Sequence, residues 1–298
     1  MFTIKQILNN SNILECIEIE NSEKTCYAKI YVNQGASLQE LKLNGKTIIE
    51  DLYPLTYNNT YASSILFPFA NRIKDGKYTF DANEFQFEVN ETANNNALHG
   101  LVFNKIFKVV HQKEDKNFAS ITFEYVEQNE SIGFPYTFSM QLEYIIKNHS
   151  VDINVTVKNT DTKAFPFTLG WHPYFSSSNL YNSTLNFDSH KQLVFDERCI
   201  TTGVKTIENE SDFEVKDKQL DDCFILNSNQ TQFNTPHYKL LISASSKENF
   251  LQIYTPPKAN VIAIEPTTGV SDSFNNNMGL QILKPNETHQ LNWNVKLV

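Results

Sequence analysis

Apolar residues recur at every second position through much of this chain. Phe138, Met140, Leu142, Tyr144 and Ile146 alternate with Ser139, Gln141 and Glu143, and Val151, Ile153, Val155 and Val157 alternate with Asp152, Asn154 and Thr156. The segments Phe85-Phe87-Val89, Ile121-Phe123-Tyr125 and Leu291-Trp293-Val295-Leu297 repeat the pattern. Successive strand side chains point to opposite faces, so this period predicts antiparallel strands with one face buried. Turn signals separate them at Asn44-Gly45, Asp75-Gly76, Asn148 to Ser150 and Asn159 to Thr162. No long capped segment carries apolar residues at helical spacing. Ala36 to Leu43 is the best helical candidate, and it reads equally well as a strand before Asn44-Gly45. The expected architecture is all-β: a large antiparallel sandwich with few short helices, forming one domain over residues 1–298. The polar, irregular stretch from Asn179 to Ser211 is expected to be an excursion from that domain.

Composition narrows the function. With 298 residues, 40% of them hydrophobic, the chain can bury a large core without metals or disulfides. Its 25 Lys+Arg against 34 Asp+Glu give a net charge of −9 with no basic cluster, which argues against nucleic acid or anionic membrane as partners. The 9 glycines include no G-x-G, so neither a dinucleotide fingerprint nor a P-loop is present. Cys16, Cys26, Cys199 and Cys223 are too scattered for a zinc site or a disulfide framework. No cofactor or metal is expected. The N-terminal residues contain no continuous apolar segment, and no apolar run reaches membrane-spanning length, so a soluble cytoplasmic protein is expected.

Residues of catalytic type gather where the alternation breaks. Arg72 follows the aromatic run in FPFANRIKDGKY, and its guanidinium can offer several fixed hydrogen bonds to ligand oxygens. His99-Gly100 lies in NNNALHGLVFNKIF. In TLGWHPYF, Gly170 to Phe175 place His172 among three aromatic rings, an arrangement that suits a sugar: its C–H faces pack on rings while its hydroxyls need polar partners. Asp221 and Asp222 precede an apolar run in LDDCFIL. Glu265 ends the apolar run of VIAIEPTTGVSDSFN, where Pro266 stiffens the exit and burial would raise the carboxyl pKa toward that of a useful base. Each segment also has an ordinary reading: a surface arginine, a loop histidine, an aromatic corner, a solvated Asp pair or a strand-ending glutamate.

Taken in order, "ANRI-x-x-G-x-Y", "LHG", "HPYF", "D-x-x-F" and "IEP…D-x-F-N" resemble the motif series of the aldose 1-epimerase (galactose mutarotase-like) family. The resemblance runs from about Asn33, in NQGASLQELKLNG, to the C-terminus, and includes GFPYTFSMQLEYII. It implies a catalytic base at Glu265, acting on the anomeric hydroxyl, and a catalytic acid at His172, acting on the ring oxygen. It implies sugar-binding roles for Arg72, His99 and Asp221, with Asp222 an alternative to Asp221. A small-molecule sugar is the implied partner, and the oligomeric state is left open. Leu101, Phe67-Pro68-Phe69 and Thr267 depart from the common family pattern and resemble a shorter branch, which leaves the sugar open.

The expected activity is interconversion of the α and β anomers of a free aldohexose by ring opening and closure. The alternatives are a hexose-6-phosphate 1-epimerase, for which only Lys74 and Lys77 offer nearby cations, a glycosidase using Glu265 and Asp221, and a sugar-binding protein without turnover.

Overall fold

The computed structural model describes residues 1–208 and 212–298. Counted over these, the strands form three large antiparallel sheets of nine, eight and five members, with smaller two-stranded pairs between them. Four of the five alternating segments form the body of the nine-stranded sheet; Phe85 instead lies in the separate pair of Lys77–Phe80 with Asn83–Gln86, and Phe87 and Val89 fall beyond its strands. Phe118–Gln128, Thr137–Lys147, Ser150–Asn159 and Thr288–Leu297 lie side by side in that order, and Lys239–Ala244 continues the sheet beyond Thr288–Leu297. Met140, Leu142, Tyr144 and Ile146 are buried while Gln141 between them is exposed, which is the face assignment the period of two requires.

Aromatic contacts join this sheet to the eight-stranded one. Trp171 stacks on Trp293 at 6.3 Å between ring centroids, and Phe187 meets Phe224 at 4.9 Å. The five-stranded sheet, Phe2–Leu8 through Lys46–Ile49, is tied to the nine-stranded one where the Tyr144 hydroxyl donates to the Ala36 carbonyl at 2.7 Å. Helix is confined to Tyr57–Thr60, Ser273–Asn276 and a 3-10 turn at Leu180–Asn182 among the described residues. None of these helices is long and apolar enough to cross a membrane.

Of the two readings open for Ala36 to Leu43, the strand is the one observed: Ser37–Leu43 runs into Asn44 and Gly45, which both take positive φ and form the tight turn that returns the chain as Lys46–Ile49. The stretch Asn179 to Ser211 is more regular than its polarity implies, although residues 209–211 lie outside the described residues. Thr184–Phe187 joins the nine-stranded sheet, and Lys191–Phe195 with Thr201–Thr206 extends the eight-stranded one. Thr201–Thr206 is an edge strand, so most of its side chains face water and hide the alternation.

Trp293 is buried between the two large sheets. Its replacement by Ala is expected to cost about 3–5 kcal/mol of unfolding free energy, measurable as a lower urea midpoint at unchanged slope.

Candidate active site

Arg72, His99, His172, Asp221 and Glu265 line one cavity of about 220 Å³, which opens over one face of the eight-stranded sheet. Strand register explains how three of the walls are built. Asp221 lies opposite Tyr254, and Gln252 lies opposite both Cys223 and Glu265, so these side chains share a face. Asp222 points to the other face and lines a separate hollow, where it accepts a 2.5 Å hydrogen bond from Gln192. Strand alternation therefore places Asp221, not Asp222, in the cavity.

Glu265 sits in Val261–Thr267, a strand buried along its whole length, which continues through Pro266 instead of ending at it. Pro266 keeps its place in the pairing, opposite Leu251. Glu265 is only 3% exposed. His172, 5% exposed, is held on both backbone sides: its N–H donates to the Ser64 carbonyl and its carbonyl accepts from the Ser63 N–H. The ring lies against Tyr174 at 4.9 Å and meets the His99 ring edge-on at 5.0 Å. Its Nε2 is 3.4 Å from Glu265 Oε1.

His99 and Arg72 arrive together because Arg72 pairs with Leu98 across a short ladder. His99, Gly100 and Asn71 all have positive φ, and the His99 N–H donates to the Asn71 carbonyl at 2.8 Å. A Cβ at Gly100 would stand 2.3 Å from the Phe67 carbonyl oxygen, so glycine alone allows this approach. The left-handed backbone at His99 is a local strain of the kind that collects at functional sites.

A hydrogen-bond chain links the polar walls. Arg72 Nη1 donates to Asn71 Oδ1 at 3.2 Å, Asn71 Nδ2 to Gln252 Oε1 at 3.4 Å, and Gln252 Nε2 to Asp221 Oδ1 at 2.6 Å. Glu91 and Arg72 form an ion pair of 2.9 Å at the cavity wall. Sequence reasoning passed over Gln252, Glu91 and Tyr254. Gln252 left a trace as the polar member of the otherwise apolar run Phe250–Tyr254. Glu91 left none, since its loop carries no periodic pattern.

Burial dominates the electrostatics. Desolvation pushes the Glu265 carboxyl well above its ordinary range, with Asp221 adding to the rise and Arg72 opposing it. Desolvation, reinforced by Arg72 and countered by a backbone hydrogen bond, lowers His172 to about 4. His99 is pushed well below the usual histidine value by burial and by its two cationic or ionisable neighbours, His172 and Arg72. Asp221 is raised by desolvation, in spite of Arg72, with Asp222 and Glu91 contributing.

The family model for aldose 1-epimerase matches residues 15–296. This chain belongs to the aldose 1-epimerase family. The uncharacterised protein YihR of Escherichia coli is 23% identical over 281 residues, covering 90% of each chain. Galactose mutarotase of Sus scrofa is 26% identical over 150 residues, 48% of this chain and 42% of that protein. Among solved structures, a galactose mutarotase-like protein from Clostridium acetobutylicum superposes with a TM-score of 0.88 at 21% identity, covering 100% of this chain and 98% of that one. Galactose 1-epimerase from Lactobacillus acidophilus gives 0.81 at 16% identity, with 100% and 98% coverage. This member of the aldose 1-epimerase family thus has the galactose mutarotase-like fold that its motifs resemble.

In this aldose 1-epimerase family member, Glu265 keeps its folded-state pKa above the unfolded one. Ionising it therefore takes stability away as pH rises from the ordinary carboxylate range to the raised value, and the loss is constant beyond. Glu265→Gln is expected to melt above wild type at pH 8 by roughly 2–4 °C, with the difference shrinking toward pH 4 in a thermal series.

Proposed function

We propose that this protein is an aldose 1-epimerase that interconverts the anomers of an unphosphorylated aldose, with Glu265 and His172 as its acid–base pair. The observation that carries this reading is the 3.4 Å approach of a carboxyl and an imidazole inside a cavity that also presents Arg72, His99 and Asp221. Ring opening takes a proton from the C1 hydroxyl and gives one to the ring oxygen; rotation about C1–C2 and closure then complete the exchange. Two groups sharing one proton can do both transfers, each worth roughly 10²–10⁴-fold.

Desolvation opposes a charge on either group, so in the empty cavity the neutral carboxyl and neutral imidazole are favoured. The arrangement that starts ring opening, ionised Glu265 with protonated His172, holds the same single proton. Moving it from one partner to the other connects the two states, and the sugar hydroxyls supply hydrogen bonds that the empty site lacks. On closure the roles reverse. Arg72, His99 and Asp221 hold the hydroxyls during rotation. An unphosphorylated substrate is supported by the cavity lining, in which Arg72 is the only Lys or Arg among the described residues; Lys74 and Lys77 lie outside it.

The decisive experiment is polarimetry on freshly dissolved α-D-glucose and α-D-galactose with wild type, Glu265→Gln and His172→Asn. Wild type is expected to speed equilibration, and each variant to lose about 10²–10⁴-fold in kcat. A wild type that accelerates only the 6-phosphates would instead identify a hexose-6-phosphate 1-epimerase. One that binds sugar in calorimetry without accelerating anything would be a binding protein.

The pH profile of kcat/KM should be a bell. Below its acid limb both partners are protonated and no base remains for the C1 hydroxyl; above its alkaline limb both are deprotonated and no acid remains for the ring oxygen. The acid limb is expected below the ordinary histidine value of about 6.5, because His172 is lowered to about 4. A rate that is flat from pH 4 to 9 would sink the pair as catalyst.

A further inference from the structure

Arg72 is a cation that is already engaged. Its Nε donates to both Glu91 carboxylate oxygens at 3.1 and 3.0 Å, and its Nη2 donates to Oε1 at 2.9 Å. The third nitrogen is used when Nη1 donates to Asn71. A guanidinium has five N–H donors, so about two stay available while the charge is offset by the carboxylate beside it. Both side chains are 15% exposed, which keeps the pair largely unscreened by water.

Glu91 is itself a constructed position. Asn96 Nδ2 donates to its Oε2 at 2.9 Å and Asn94 Nδ2 to its Oε1 at 3.3 Å. The Glu91–Asn96 loop is fastened from far along the chain by Arg198, whose Nε donates to the Asn94 carbonyl at 2.8 Å and whose Nη2 donates to the Asn95 carbonyl at 2.8 Å. Arg198 also receives Asn96 Nδ2 on its own carbonyl at 3.1 Å. A carboxylate held by so many donors, with its loop anchored by an arginine 102 residues from Asn96, is placed to stay against Arg72. The other carboxyl groups of the cavity, Asp221 and Glu265, offer an anion no countercharge.

We propose that Glu91 is a specificity-determining residue: it cancels the charge of Arg72 and occupies one of its edges, leaving donors for neutral hydroxyls and closing the cavity to anionic sugars. An arginine without this partner would present a fork suited to phosphate or carboxylate oxygens. With it, an anion entering the cavity meets three carboxyl groups against one guanidinium. The proposal rests on the sugar-binding reading above, and deepens it by assigning the preference for uncharged aldoses to one side chain.

The test compares wild type, Glu91→Gln and Glu91→Asp by two measurements. The first is binding of inorganic phosphate in calorimetry, which requires no turnover. The second is the ratio of kcat/KM for α-D-glucose to that for α-D-glucose 6-phosphate, from anomer exchange followed by NMR. Glu91→Gln is expected to bind phosphate at least about tenfold more tightly than wild type and to shift the ratio at least about tenfold toward the phosphorylated sugar. Glu91→Asp keeps the charge and should stay on the wild-type side in both, an outcome that a packing role for Glu91 does not predict. A folded Glu91→Gln that binds phosphate no more tightly than wild type overturns the proposal, as does a Glu91→Asp that behaves like Glu91→Gln. Should Glu91→Gln fail to fold, Glu91→Ala takes its place in both measurements with the same expected shifts, and tight phosphate binding by wild type, or its preference for glucose 6-phosphate, overturns the proposal without any variant. If wild type turns over neither sugar, the epimerase reading falls, while the phosphate comparison still decides the role of Glu91.

Discussion

Holding a carboxyl and an imidazole 3.4 Å apart at 3% and 5% exposure forces them to be neutral or to compensate each other, because neither can lean on water. Much of the cavity can be understood from that constraint. The charge of Arg72 opposes the rise of Glu265 and deepens the fall of His172, so its strength matters to both partners. A bare guanidinium would favour the ionised carboxylate and penalise the imidazolium. Glu91 tempers that field, and the hydrogen-bond chain through Asn71 and Gln252 ties it to Asp221 on the far wall. On the proposed reading, substrate preference and proton affinity are set by one group of side chains.

The scaffold makes such a group possible by rigidity. Glu265, Gln252 and Asp221 stand on three neighbouring strands, where pairing fixes their spacing. His172 and His99 instead lie at chain reversals, but each is pinned by backbone hydrogen bonds to Ser63, Ser64 and Asn71. Buried carboxyl and imidazole groups lower stability in the folded state, and the large aromatic interface between the sheets, with Trp171 on Trp293, offsets this.

The sequence exposed the sheet architecture wherever a strand has one wet face, since alternation is then written directly into residues such as Phe138 to Ile146. It failed at Lys191–Phe195 and Thr201–Thr206, short strands near or at the sheet edge with few buried positions. In the site, motif order was enough to gather Arg72, His99, His172, Asp221 and Glu265, and the strand pleat separated Asp221 from Asp222. Glu91 was illegible for a physical reason: its partner Arg72 lies across a loop, and the groups that fasten it, Asn96 and Arg198, converge only after folding. Pairings of that kind leave no period in one dimension.

The nine-stranded sheet has a further consequence for how the chain must be made. Thr288–Leu297 lies between Ser150–Asn159 and Lys239–Ala244, yet follows both in the chain. Until it emerges from the ribosome, the sheet exists as two separate halves, each with an open hydrogen-bonding edge beside apolar residues. The interval between the synthesis of Ala244 and that of Leu297 is therefore when the nascent protein is most open to mispairing and to capture by chaperones. The strand that closes the gap also brings Trp293 to Trp171, so the nine-stranded sheet and its aromatic contact with the eight-stranded one are completed in a single event.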